Sequence, residues 1–263
     1  LSAGECLLLK LLEKHLKYLL PGSLLGAIEP LFSRAEEKLQ NTNRYRLSAA
    51  WFEKTAVLPG GLSFLPPSIN PRIFKTVSEA LFKSLKLQIR YNSPYKGFSE
   101  RIISPLGLVQ QGVRIYLVAA AEENGEIRHF ALHRFEDASM INTPANKPVG
   151  FELEAYLQNT AFNYTFEPNG GRLIELEFEL SNSETVKNLR ETPLSRQQTV
   201  SELEDGFWRI RAIVRDSCLL DGWLEAWRAI AGIRCITKKV ICLESNGSLS
   251  ETGAQTAKNL CSR

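Results

Sequence analysis

The residues with the most chemical potential lie in one run, Ile127 to Phe135, which reads Ile-Arg-His-Phe-Ala-Leu-His-Arg-Phe. As an extended strand it places Arg128, Phe130, Leu132 and Arg134 on one face and His129, Ala131, His133 and Phe135 on the other. Two guanidiniums on one face suit phosphate, whose oxygens a planar fork of N–H donors can meet in pairs. In a straight strand, rising about 3.3 Å per residue, the two arginines stand roughly 20 Å apart. They therefore suit successive phosphates of a short nucleic-acid strand, or else only one of them serves the site. Arg101 on a neighbouring strand offers a third guanidinium, and Tyr91 or Tyr116 is available to stack a base. His133 joins these five as a candidate ligand-binding residue. The competing reading makes the arginines solvated strand ends or salt-bridge partners of Glu100 and Glu136.

Other chemistries find less support. Two histidines four apart suit a metal when they share a helix face, but on a strand His129 and His133 stand about 13 Å apart, too far to touch one ion. No metal or cofactor is expected. Cys235 and Cys242 lack a paired Cys-x-x-Cys partner and read as ordinary buried thiols. No nucleophile with a base, exposed carboxylate pair or phosphate-cradling glycine loop stands out; Gly60-Gly61 and Gly170-Gly171 lack a strand-loop-helix context. The chain is not expected to be an enzyme.

The bulk properties set outer bounds. The 263 residues, 44% hydrophobic and 23% charged, suit one or two globular domains. The leucine-rich opening from Leu7 to Leu20 is broken by Lys10, Glu13, Lys14, His15 and Lys17, which excludes a membrane span. A net charge of +3 proves no anionic partner. Five cysteines, an odd number, with no secretory signal favour a reducing cytoplasm. The chain starts at Leu1 and has Met140 as its single methionine, so an upstream segment is expected.

Ser2 and Glu5 have capping-box spacing and open an amphipathic helix. Pro21 and Gly22 end it, Ser23 is placed to cap a second helix, and Pro30 is placed to kink that one. Residues from Asn41 to Pro71 read as an extended connector. A helix over Ile73 to Leu85 leads into strands at Leu87 to Tyr91, Ser99 to Ile103, Val113 to Ala120 and Glu126 to Phe135, with turns at Pro105 to Gly107 and at Asn124 and Gly125. Residues 144 to 171 read as a linker carrying a docking helix with Phe151, Tyr156, Leu157 and Phe162. Leu173 to Leu180 alternates apolar and acidic residues as a half-buried strand should. A helix over Ser183 to Arg190, strands near Thr199 to Leu203 and Trp208 to Val214, a helix over Cys218 to Ala231 and a strand over Arg234 to Leu243 follow. Trp223 and Trp227 share one helix face and read as core.

Residues 80 to 141 carry a more specific pattern. Ile89-Arg90-Tyr91, Arg101-Ile102-Ile103-Ser104-Pro105, Tyr116-Leu117 and Arg128-His129-Phe130-Ala131-Leu132-His133-Arg134 form an ordered series of strands that resembles the WYL domain of bacterial transcription regulators. Ile115 stands where that family's tryptophan would be. Glu5 to Leu39 is similar to the helical connector of such regulators, and Leu173 to Leu243 to their C-terminal extension. The resemblance implies an α+β chain with a helical connector and linker over 1–71, an Sm-like or SH3-like β-barrel over 72–143, a linker over 144–171, a ferredoxin-like module over 172–245 and a flexible tail over 246–263. It also implies sensing of a single-stranded nucleic acid or nucleotide, a homodimer, and control of operator DNA through a winged helix-turn-helix ahead of the connector, to which nothing here is similar. The alternative is a structural scaffold that mediates protein contacts and senses nothing.

Overall fold

The capping box at Ser2 is formed: the Ser2 hydroxyl accepts from the Glu5 N–H at 3.2 Å, and the Glu5 carboxylate accepts from the Ser2 N–H at 2.6 Å. It opens α1 (Ala3–Leu16). The computed structural model describes residues 1–41, 45–57, 64–94, 96–159, 162, 172–243 and 249–251. These fall into two units, Leu1–Leu153 and Glu154–Arg263.

In the first unit, α2 (Gly22–Asn41) runs through Pro30 and starts one residue before Ser23. Its first N–H groups are capped from another helix: Gly22 N donates to Ser78 Oγ at 2.9 Å and Ser23 N to Glu79 Oε1 at 2.6 Å. Both acceptors belong to α4 (Pro71–Phe82), which Asn70 caps and Pro71 pre-organises at its first position. The two helices meet so closely that a Cβ on Gly22 would lie 2.9 Å from Lys75 Cα. The expected connector contains α3 (Arg46–Glu53), a short helix that the broken composition around it conceals. Cys6, Ala35 and Tyr45 form a small core for the three N-terminal helices.

Five strands follow, β1 (Leu85–Ser93), β2 (Gly97–Gln111), β3 (Arg114–Ala121), β4 (Ile127–Ala131) and β5 (Phe135–Pro144). They pair antiparallel in the order β4-β3-β2-β1-β5. The expected barrel is not formed, because β4 and β5 are the two open edges of this sheet. The chain leaves the β3 edge at Ala131 and joins the β1 edge at Phe135, and a 3-10 turn, Leu132–Arg134, crosses the gap without a ladder of hydrogen bonds. Pro105 to Gly107 is no turn but an irregularity inside β2, where the register with β3 shifts. Proline has no N–H to give to a ladder, so a bulge is where a strand tolerates it. One face of the sheet packs Leu87, Ile89, Ile103, Leu117 and Phe130 against Ile73, Phe74, Val77 and Ala80 of α4.

A helix, α5 (Leu153–Asn159), stands at the division between the units. At its start, Leu153 packs so tightly on Gly107 that a Cβ there would lie 2.7 Å from Leu153 Cδ2. The second unit runs β6 (Leu173–Leu180), α6 (Ser183–Glu191), β7 (Thr199–Glu202), β8 (Trp208–Arg215), α7 (Cys218–Ala231), β9 (Arg234–Leu243) and β10 (Leu249–Glu251). Its sheet is ordered β10-β9-β6-β8-β7, with every pairing antiparallel and neither edge closed. Ile174, Leu176 and Phe178 point to the core, where the Trp223 ring meets Phe178 edge-on at 6.0 Å between centroids and Trp227 packs alongside. Asn182 and Ser217 cap the two helices, and Gly232 ends α7 with a left-handed φ of 65°. Cys6, Cys218 and Cys235 are in no disulfide among the described residues. Cys235 is exposed, against the expectation of a buried thiol, while the Cys242 side chain and most of the expected tail lie outside the described residues.

Candidate anion-binding cleft

Strand register decides which side chains of the first sheet can meet. Arg101 stands opposite Ile89 across β1 and β2, and Arg128 stands opposite Ala119 across β3 and β4. Directly opposed residues share a face, and Ile89 and Ala119 are core residues. Both arginines therefore leave the sheet on its core-facing side, beyond the end of the apolar filling. There they line an open cleft of about 380 Å³ with Tyr91, Ser93, Lys96, Ser99, Glu126 and Arg134.

The 3-10 turn changes the expected spacing. Continuous alternation through Ile127 to Phe135 sets Arg128 and Arg134 at opposite ends of a straight strand. The strand instead stops at Ala131, and the turn brings Arg134 back to the same cleft. Leu132, 1% exposed, anchors that turn in the core.

The charges of the cleft are partly matched. Arg128 Nε and Nη2 donate to Glu126 Oε2 at 3.0 and 2.7 Å. This pairing holds the Glu126 carboxyl below its ordinary range and raises the Arg128 guanidinium. Arg128 Nη1 donates to Glu123 Oε1 at 3.0 Å, and Arg101 Nη1 donates to the same oxygen. Arg101 Nε is held by Ser99 Oγ at 3.3 Å. The carboxylates named from the sequence, Glu100 and Glu136, are not the partners. Arg134 makes no ion pair among the described residues, and Lys96 is exposed and acts on Glu126 through charge.

Three residues of the expected set stand differently. The Tyr91 ring, 7% exposed, sits edge-on to Phe130 and Phe135 at 5.2 and 5.4 Å between centroids, and its hydroxyl accepts from the Ala131 N–H at 3.1 Å. It forms the floor of the cleft and is not free to stack a base. Tyr116 falls between the core residues Ile115 and Leu117 and leaves β3 on the opposite face, outside the cleft lining. His133 is also outside that lining; burial lowers its pKa, helped by the charges of Arg134 and Arg114, and its buried Nδ1 has no hydrogen-bond partner among the described residues. Burial pushes the neighbouring His129 down to about 4. Sequence reasoning missed Lys96, Glu123 and Glu126. The two glutamates flank the expected Asn124–Gly125 turn, five and two residues before Arg128, so pairing the carboxylates of that turn with the arginine that follows it could have found them.

Among the described residues no group of three His, Cys, Asp or Glu is placed to hold a metal, and no helix is long and apolar enough to cross a membrane. Residues 72–140, from α4 into β5, match the family model of the WYL domain. Over that span, about a quarter of its length, the chain is similar to the WYL domain. No curated protein matches the chain. Among solved structures, Proteasome accessory factor B/C of Arthrobacter aurescens is 18% identical at a TM-score of 0.30, over 73% of this chain and 28% of that one. A CRISPR Cas-related protein is 13% identical at a TM-score of 0.35, over 76% of this chain and 56% of that one. The chain spans less than two thirds of either.

Proposed function

We propose that this chain is the effector-sensing region of a WYL-type transcription regulator, and that the cleft holds the phosphate of a nucleotide or a short single-stranded nucleic acid. The observation that carries this reading is the convergence of Arg101, Arg128, Arg134 and Lys96 on one open cleft. Guanidiniums in such a setting recognise phosphate through paired, charge-assisted hydrogen bonds. A phosphate contact supplies position and affinity but no base identity. With Tyr91 engaged in the floor, base recognition falls to groups at the rim. As the resemblance to WYL regulators implies, the bound effector biases a homodimer between arrangements that differ in their grip on operator DNA through a winged helix-turn-helix. It shifts that balance only by its difference in affinity for the two arrangements.

The test is fluorescence polarisation of a labelled single-stranded oligothymidylate against the wild type, Arg128→Ala and Arg134→Ala. Each substitution should weaken binding about tenfold, the value of one charge-assisted contact. Equal, weak binding by all three proteins would refute the reading. The ion pairs of Arg101 and Arg128 favour a second reading, in which the cleft is a structural salt-bridge cluster of a protein-contact scaffold. That reading predicts a loss of thermal stability in Arg128→Ala and no oligonucleotide binding in any form.

A further inference from the structure

Two guanidiniums from strands separated by β3 donate to one atom, Glu123 Oε1. Each is fixed on its other edge by a local partner, Arg101 by Ser99 and Arg128 by Glu126. One further donor of each fork, its Nη1, points at a single oxygen position. A phosphate oxygen has the charge and acceptor capacity to fill that position. A carboxylate of the chain itself fills it instead.

The turn that carries Glu123 is well anchored. Gly125 N donates to Ala121 O at 2.7 Å, Ala121 N to Glu126 O at 2.9 Å, and Glu126 N to Asn124 Oδ1 at 3.1 Å. The preceding residue, Glu122, is tied to Lys86 and Ser104 at 2.6 Å each. The Glu123 side chain is unlike that of Glu122. It is 51% exposed, and its hydrogen bonds are to the two arginines. It can swing into water without disturbing the turn.

We infer that Glu123 is a built-in competitor for the phosphate position, occupying the Arg101–Arg128 pair until an anionic ligand displaces it. The inference rests on the reading of the cleft as a phosphate site. In this scheme Arg134 and Lys96, which make no ion pair among the described residues, make the first contact with an incoming phosphate. The phosphate then takes over the two Nη1 donors, and the Glu123 carboxylate moves into solvent. Displacement favours ligands that bring more negative charge than the single carboxylate they replace, so a terminal phosphate dianion gains over a diester monoanion. A high threshold protects a sensor from weak anions.

The experiment compares the wild type with Glu123→Ala, Glu123→Gln and Glu136→Gln for binding of a 5′-phosphorylated oligothymidylate. Glu136 is exposed on β5 and makes no ion pair among the described residues, so its substitution changes net charge alone. Glu123→Ala should bind about tenfold tighter than the wild type and Glu123→Gln should lie between them, because the amide keeps an acceptor but loses the charge. Glu136→Gln should stay within about twofold. If the wild type binds and neither Glu123 variant binds more tightly, or if Glu136→Gln gains as much, the competitor role fails while the phosphate cleft stands. If no form binds, the cleft reading fails, and the competitor role with it.

Discussion

Arg134 and Tyr91 show how far a side chain's neighbours determine its use. Arg134 is half-exposed, borders the cleft and carries no ion pair among the described residues, so removing it should cost little folding free energy, within about 0.5 kcal/mol. Its loss should appear in ligand affinity and in salt dependence. With two or three phosphates contacted, the slope of log K against log salt should be about −1.5 to −2 for the wild type and shallower by about 0.7 in Arg134→Ala. An unchanged slope would show that Arg134 touches no phosphate. Tyr91 is the reverse case: its hydroxyl satisfies the buried Ala131 N–H, and its ring is walled by two phenylalanines. Tyr91→Phe should lower stability by about 1–2 kcal/mol, the cost of an unmet buried donor, measured by chemical denaturation. Equal stability would mean that water reaches Ala131.

Among the elements, the 3-10 turn between β4 and β5 does most to make the cleft. It ends β4 at Ala131, carries Arg134 to the cleft and hands the chain to β1 at Phe135. Leu132 holds it down, so Leu132→Ala should destabilise the protein by about 2–5 kcal/mol. It should also weaken oligonucleotide binding, although Leu132 does not line the cleft. Loss of stability with full affinity would separate the turn from the site. Of the elements, the amphipathic and capped ones were legible: the capping box of α1, the alternation of β6, and α7 ended by Gly232. Three others were not. The residues of β5 after Phe135 are mostly exposed, as suits an edge strand, and so lack a periodic apolar signal. Alternation continues through Leu132–Arg134 although the backbone does not. The prolines and glycines from Pro59 to Pro71 made the whole stretch after Asn41 read as a connector and so masked α3. The N-terminus of α2 is capped from α4, 56 residues away, which no local rule contains.

For the molecule as a whole, acid stability follows from which groups the fold keeps neutral or paired. His129 is pushed by burial from 6.5 to about 4, so the unfolded chain takes up its proton first as the pH falls. Stability from this group is fully present above pH ~6.5 and is lost between there and pH ~4. Because the ring keeps partial contact with water, about 1–2 kcal/mol is at stake. Glu122, Glu126 and Glu179 have lowered pKa values from their hydrogen-bonded cations, chiefly Lys86, Arg128 and Arg209 respectively, and add a second loss below the ordinary carboxylate range near 4.5. Thermal melting from pH 7 to 5 should show a falling Tm that His129→Gln flattens. An equal slope in both proteins would show that His129 titrates normally. The two sheets also differ in how their polar faces are used. In the second unit, Glu179 is only 7% exposed on the outward-alternating side of β6, covered by Arg209 and Arg234. Alternation alone marks it as a solvated residue.

Caps and periods of two and 3.6 act over a few residues, so the capped and amphipathic elements were legible in the sequence, which also offered Arg101, Arg128 and Arg134 as candidates. The sequence also marked the span over which the WYL match lies. Tertiary structure decided that the sheets stay open, that Arg101 and Arg128 share a face with the core, and that Glu123 lies between them. Those outcomes depend on the register of four strands, β1 to β4, and on where one turn breaks a ladder. Each is a balance of contacts between residues far apart in the chain, which spacing along one strand does not record.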